Sequence, residues 1–170
     1  ALLDFGLIGF SREVAGILGV KFANNSYDDQ TTVTEAKSKL ISIKIKDPIL
    51  CPRYSCAVVE MKDALSDDKY LTNMDVFLAK ADMHGISKIV DVTNYLMLMT
   101  GQPLHAFDYD KFVKVGNSSK PEIIIRAAKD GEELQLLDDK TIKCNPNDIL
   151  ITSNDIPVAL AGAMGGKNTE

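Results

Sequence analysis

The sequence predicts an α+β fold, and three observations carry that prediction. Apolar residues recur at intervals of three and four in the first segment and again in the middle of the chain. They alternate in steps of two across residues 40–46 and form short apolar runs after Lys120. Asp-Gly, Asp-Asp and Asn-Asp dipeptides then separate those runs as hairpin turns. Helices and strand pairs occupy separate blocks rather than strict βαβ alternation, which is the pattern of an α+β chain with mostly antiparallel strands.

Leu2–Leu18 reads as a helix with Leu3, Leu7, Phe10, Val14 and Ile17 on its apolar face. Gly19 stops it, because glycine takes the left-handed cap without a steric penalty. Asn24–Lys39 is polar and reads as a loop or crossover. Leu40–Lys46 is a half-buried strand with Ile41, Ile43 and Ile45 facing one way, ended by Asp47-Pro48. Tyr54–Met61 follows as a second strand with Ala57, Val59 and Met61 on one face. A helix over about Thr72–Met83 is capped by Thr72 or Asn73 and buries Phe77, Leu78 and Ala81. Another covers Asp91–Met99, starting at Asp91 or Thr93 and ending before Gly101. Then come a strand at Glu122–Ala127, a turn at Asp130-Gly131, and two hairpins. Leu134–Leu137 and Thr141–Cys144 flank Asp138-Asp139; Ile149–Ser153 and Pro157–Ala161 flank Asn154-Asp155.

Composition bounds the function. The chain has 170 residues, 45% hydrophobic and 25% charged, which is globular rather than disordered composition. A net charge of −5 argues against a whole face gripping nucleic acid, although one end of a nucleic acid can still enter a pocket. The most apolar stretch, Ala1–Val20, is interrupted by Asp4, Arg12 and Glu13, so it reads as neither a membrane span nor a signal peptide. Cys51, Cys56 and Cys144 fit no disulfide framework and read as reduced thiols of a cytoplasmic protein, with Cys51 and Cys56 read as buried small hydrophobes. The chain opens on Ala1 without an initiator methionine and reads as a piece of a longer one.

Several chemistries lack their residues. Gly165-Gly166-Lys167 has Ala161 where a phosphate-cradling loop needs its first glycine and Asn168 where it needs a hydroxyl. Gly9-Phe10-Ser11-Arg12-Glu13 lacks the second glycine of a nucleophile elbow. Two histidines, His84 and His105, and a Cys-x4-Cys pair do not make a zinc site, and no metal is expected. What remains is VDVTNYLMLMTGQPLHAFD at Val90–Asp108, where Asn94 and His105 bracket a short capped helix. On the residues alone two readings stand. The pair supplies polar contacts in an apolar pocket, or Asn94 is an interior cap and His105 a satisfied core histidine. The small-residue tail ALAGAMGG at Ala159–Gly166 is equally open, as a ligand wall or as a close backbone packing site.

These segments, with CPRYS at Cys51–Ser55 and LIGFSREVAGILG at Leu7–Gly19, resemble the central editing module of the bacterial phenylalanine–tRNA ligase beta subunit. The matches recur in family order across nearly the whole chain, so residues 1–170 are expected to form one such module. The resemblance implies two interleaved lobes with helices packed on a β-sandwich. It also implies hydrolysis of tyrosine wrongly attached to phenylalanine tRNA. A pocket built for phenylalanine rejects an added hydroxyl only ~10²-fold on related examples, so a second site must remove the error.

Carried over by motif, His105 is the catalytic candidate, ordering water or the terminal ribose, with Asn94 in support. Gly165 and Gly166 wall the substrate pocket and offer backbone N–H donors. His84 stands seven residues before Asp91, where the family carries an arginine that a mostly neutral imidazole does not replace. The family's downstream glutamate and Thr-x-Ala lie beyond Glu170. The implied partners are the acceptor end of phenylalanine tRNA and the alpha subunit of a heterotetrameric ligase, with no membrane. The implied module needs no cofactor of its own, since ATP and Mg2+ belong to the charging site of the parent enzyme. Two other functions stay in view: a structural remnant whose editing has decayed, and a stand-alone binder of an aromatic amino acid or nucleoside.

Overall fold

The computed structural model describes residues 6–23, 39–61 and 72–170. The chain divides into two compact units, each built from two stretches of sequence. One comprises Ala1–Thr34 and Met61–Ala106; the other comprises Glu35–Glu60 and Phe107–Glu170.

Among the described residues, the first unit contains three helices, α1 (Leu7–Leu18), α2 (Thr72–Lys80) and α3 (Lys88–Thr100). Helix α1 ends at Gly19 in the left-handed region (φ 64°), as its sequence predicts, and the Gly19 and Val20 N–H groups satisfy the last carbonyls. Its apolar stripe does not form the core. Leu7, Phe10, Ile17 and Leu18 are exposed, and the buried residues are Gly9 and Ala15. Gly6, at the start of α1, lies against the end of α3. A Cβ there would stand 2.4 Å from the Gly101 nitrogen.

Helix α2 is shorter than its periodicity predicts. Asp82 turns left-handed (φ 59°), and the Met83 N–H bonds back to the Leu78 carbonyl, closing the end. Leu78 is the buried anchor, and Phe77 meets the Tyr95 ring of α3 edge-on at 5.1 Å. Helix α3 starts at Ser87, whose hydroxyl accepts from Val90 N, rather than at Asp91 or Thr93. Asp91 is buried instead and accepts from Ile86 N at 2.9 Å, stapling the approaching loop to the first turn.

The second unit holds a five-stranded sheet in the order β1-β2-β5-β6-β7 and a two-stranded ribbon, β3-β4. The strands are β1 (Ser42–Ile45), β2 (Glu122–Ala127), β3 (Glu133–Gln135), β4 (Thr141–Lys143), β5 (Ile149–Ser153), β6 (Ile156–Leu160) and β7 (Met164–Gly165). β1 pairs β2 in parallel; the other pairs are antiparallel. Both predicted hairpins form. Asn154 and Asp155 each take positive φ, the geometry that matches a two-residue turn to strand twist.

The period of two divides the sheet's side chains between two clusters. Ile123, Ile125, Ile151 and Val158 pack on Phe112 of α4 (Tyr109–Gly116), while Leu150 packs with Leu134, Leu136 and Cys144 of the ribbon side. Helix α4 is absent from the periodicity reading because it is short and carries a single fully buried anchor, Phe112. Its start is set by Asp108, whose carboxylate accepts from Lys111 N. Tyr54–Met61 forms no strand. Alternation alone gives this segment no ladder partner, and it runs exposed after Tyr54, including Cys56, which the sequence reading had buried. The expected loop at Asn24–Lys39 lies outside the described residues up to position 38. No helix is long and apolar enough to cross a membrane among the described residues.

Candidate functional site

Three of the five residues singled out by sequence, His84, Asn94 and His105, belong to the first unit. Gly165 and Gly166 belong to the second. His84 is exposed in the connection between α2 and α3. Asn94 lies in the middle of α3, half-buried, so it is not a cap; Ser87 fills that role.

The end of α3 is rigidly finished. Gly101 adopts φ 74° and donates to the Met97 carbonyl at 2.8 Å. The Thr100 hydroxyl donates to the Leu96 carbonyl at 2.7 Å and accepts from Gln102 N at 3.2 Å. The chain leaves this cap through Gln102-Pro103-Leu104 and presents His105. The His105 side chain is exposed by area, yet neighbouring atoms displace enough water to push its pKa below the ordinary imidazole value. It is therefore largely neutral near pH 7, with one ring nitrogen able to accept a proton and the other to donate. That state suits ordering a water or a ribose hydroxyl, and the ring is exposed rather than enclosed in the core.

The glycine tail is bonded into the sheet. Gly166 N donates to the Val158 carbonyl at 2.7 Å, so this N–H is committed to the sheet and cannot serve a substrate. The Gly165 carbonyl accepts from Leu137 N at 3.1 Å. A Cβ on Gly166 would lie 2.5 Å from the Val158 oxygen, a backbone atom that cannot swing aside. Gly166 is thus a close-approach site, and the bonds of the two glycines join β6, β7 and the ribbon. Gly166→Ala is expected to lower unfolding stability by about 1–3 kcal/mol through overpacking, read by urea titration. An unchanged midpoint would show that the backbone has room to spare.

CPRYS lies in the second unit, with Cys51 and Tyr54 packed on the Phe112 cluster. Burial is the main cause that pushes the Tyr54 hydroxyl up to about 12, so it remains protonated. Its place is structural. The sequence reading missed Ser87, the cap of α3, and took Asp91 for a cap where it is a buried residue of the first turn. A serine three residues before Val90 was the available signal for the cap. Among the described residues, no three His, Cys, Asp or Glu side chains cluster closely enough to hold a metal ion.

Comparison with known proteins adds the relatives. The chain is 40% identical over 164 residues to the phenylalanine–tRNA ligase beta subunit of Trichormus variabilis, a match covering 96% of this chain and 20% of that protein. It is 34% identical to the beta subunit of Thermosynechococcus vestitus over 96% of this chain and 20% of the relative. With the beta subunit of Streptococcus pyogenes it shares 39% identity over 95% of this chain and 19% of the relative. The chain thus spans about a fifth of the length of these curated relatives. The sequence model of the B3/4 domain matches residues 50–170, which takes in CPRYS, the α3 motif and the glycine tail, and the chain belongs to that family.

Proposed function

We propose that this chain is the editing module of a phenylalanine–tRNA ligase beta subunit and hydrolyses tyrosine from mischarged phenylalanine tRNA. The observation that carries the reading is that His105 follows the capped end of α3 in an exposed segment, with desolvation lowering its pKa. Water adds to the ester carbonyl and the tRNA hydroxyl leaves, so the products are free tyrosine and uncharged tRNA. His105 orders that water or the terminal ribose, and Asn94 supports the substrate from α3. The reaction consumes only water, and ATP and Mg2+ belong to charging by the parent enzyme with its alpha subunit. The test is release of tyrosine and of phenylalanine from the same tRNA by the complete wild-type ligase. Tyrosine should leave well above background while phenylalanine stays attached.

A second reading is favoured by two observations. His84 is an exposed imidazole where the resembling family carries an arginine, and the Gly166 N–H is spent within the sheet. On that reading the module is a scaffold whose editing has decayed. Background-level release of tyrosine by the wild type would select it.

A further inference from the structure

The second unit carries an open groove lined by Lys111 and Lys114 of α4, Val115, and Lys167 and Asn168 of the short 3-10 turn at Lys167–Thr169. Three of its five lining residues are lysines and none is acidic, in a chain whose net charge is −5. We propose that this groove binds a backbone phosphodiester of the RNA substrate; the identity of that RNA rests on the editing reading above.

The walls are held in place rather than left to solvent. Phe112 anchors α4 in the core, and Asp108, at the helix start, donates its N–H to the Thr169 carbonyl at 3.1 Å. Helix and turn are therefore one piece. Gly166 brings the turn to the sheet, and Asn168 is fixed by its amide donating to the Pro157 carbonyl at 3.1 Å. The close-packed glycine tail thus acts by delivering Lys167 to the groove.

The charges must be counted with their partners. Lys167 pairs with Asp139, which offsets its charge, and Lys111 donates to the Glu170 carbonyl, which leaves its charge in place. Lys114 is exposed and makes no ion pair among the described residues. On the same helix the Asp108 carboxylate is engaged by Lys111 N, and Asp110 is exposed outside the groove lining. Lys111 and Lys114 are three residues apart, so both project from one side of α4. Two lysines on one rigid helix face fit successive oxygens of a polyanion, which releases counterions on binding.

The test measures binding of uncharged phenylalanine tRNA to the complete ligase over a range of KCl concentrations. Lys111→Gln/Lys114→Gln is compared with the wild type and with the charge-keeping Lys111→Arg/Lys114→Arg. The slope of log affinity against log salt should become shallower by about 0.7–0.9 for each lysine removed and return with arginine. Lys114→Gln alone, at a side chain with no ion pair among the described residues, should give about half the effect. Identical slopes in all variants would overturn the proposal. So would an altered KM for ATP with an unchanged tRNA slope, because the groove would then serve a free nucleotide. Uncharged tRNA keeps the two claims separable: a wild type that releases no tyrosine defeats the editing reading, while the slope alone decides the groove.

Discussion

Replacing Arg126 with methionine is expected to cost about 3–5 kcal/mol of unfolding stability, the range for stranding a buried charge. Arg126 keeps only 7% of its surface exposed, and each of its five N–H donors has an acceptor. Nε donates to Asp155 Oδ1 at 2.5 Å. Nη1 serves the Ala127 carbonyl at 3.0 Å and Glu132 Oε2 at 2.8 Å. Nη2 serves Glu132 Oε1 at 2.6 Å and the Asp155 carbonyl at 2.9 Å. The fork on Glu132 ties the turn before β3 to β2, and the bonds to Asp155 tie the β5–β6 turn to the same strand. Methionine fills the volume but leaves the Glu132 carboxylate, itself largely buried, without its main partner. Adding Glu132→Gln should recover part of the loss, because a neutral amide tolerates burial better than an unpaired carboxylate. Urea unfolding of the single and double variants reads both steps. A single variant within 0.5 kcal/mol of wild type would show that the network contributes little.

The same network sets a pH dependence. Hydrogen bonding from Arg126 is the leading cause that holds the Glu132 carboxyl below its usual range, and that from Lys129 leads for Asp155. A carboxylate with a lowered folded pKa stabilises fully above its unfolded value, roughly 4 for these side chains. That stability is lost as pH falls through the lower folded value. Wild type should therefore lose more stability than Arg126→Met on acidification below about pH 5, narrowing the gap between them.

Much of the fold was legible because it is written in local rules. Gly19 and Gly101 end their helices at positive φ, and Asn154-Asp155 makes a turn that needs positive φ at both residues. The rest depends on partners distant in sequence. Alternation at Tyr54–Met61 reads as a strand, but only a neighbouring strand makes it one, and none pairs there. The stripe Leu7, Phe10, Val14, Ile17 reads as the buried face of α1. Spacing does not show that Gly9 and Ala15 are the buried residues instead. Arg126 meets Asp155 across 29 positions, beyond any window of periodicity. At the site, motif spacing found Asn94 and His105 but not their setting. Local pattern left Gly166 open between ligand wall and packing site, and its contact with the Val158 carbonyl depends on a strand that spacing does not bring to it.

The second large effect is catalytic, and it carries the central claim. His105→Ala removes an exposed side chain from the irregular segment after the α3 cap, so the fold should survive the change. Loss of a positioned acid–base or water-ordering group costs typically about 10²–10⁴-fold in rate. The desolvation that lowers the His105 pKa also predicts a wild-type rate that is flat near neutral pH and declines only below the ordinary imidazole range. The measurement is single-turnover release of tyrosine from Tyr-tRNA(Phe) by the complete ligase, wild type against His105→Ala at matched concentration. Fast release by the wild type with a loss of at least about 10²-fold in the variant is the predicted result. Equal rates in the two proteins would contradict it.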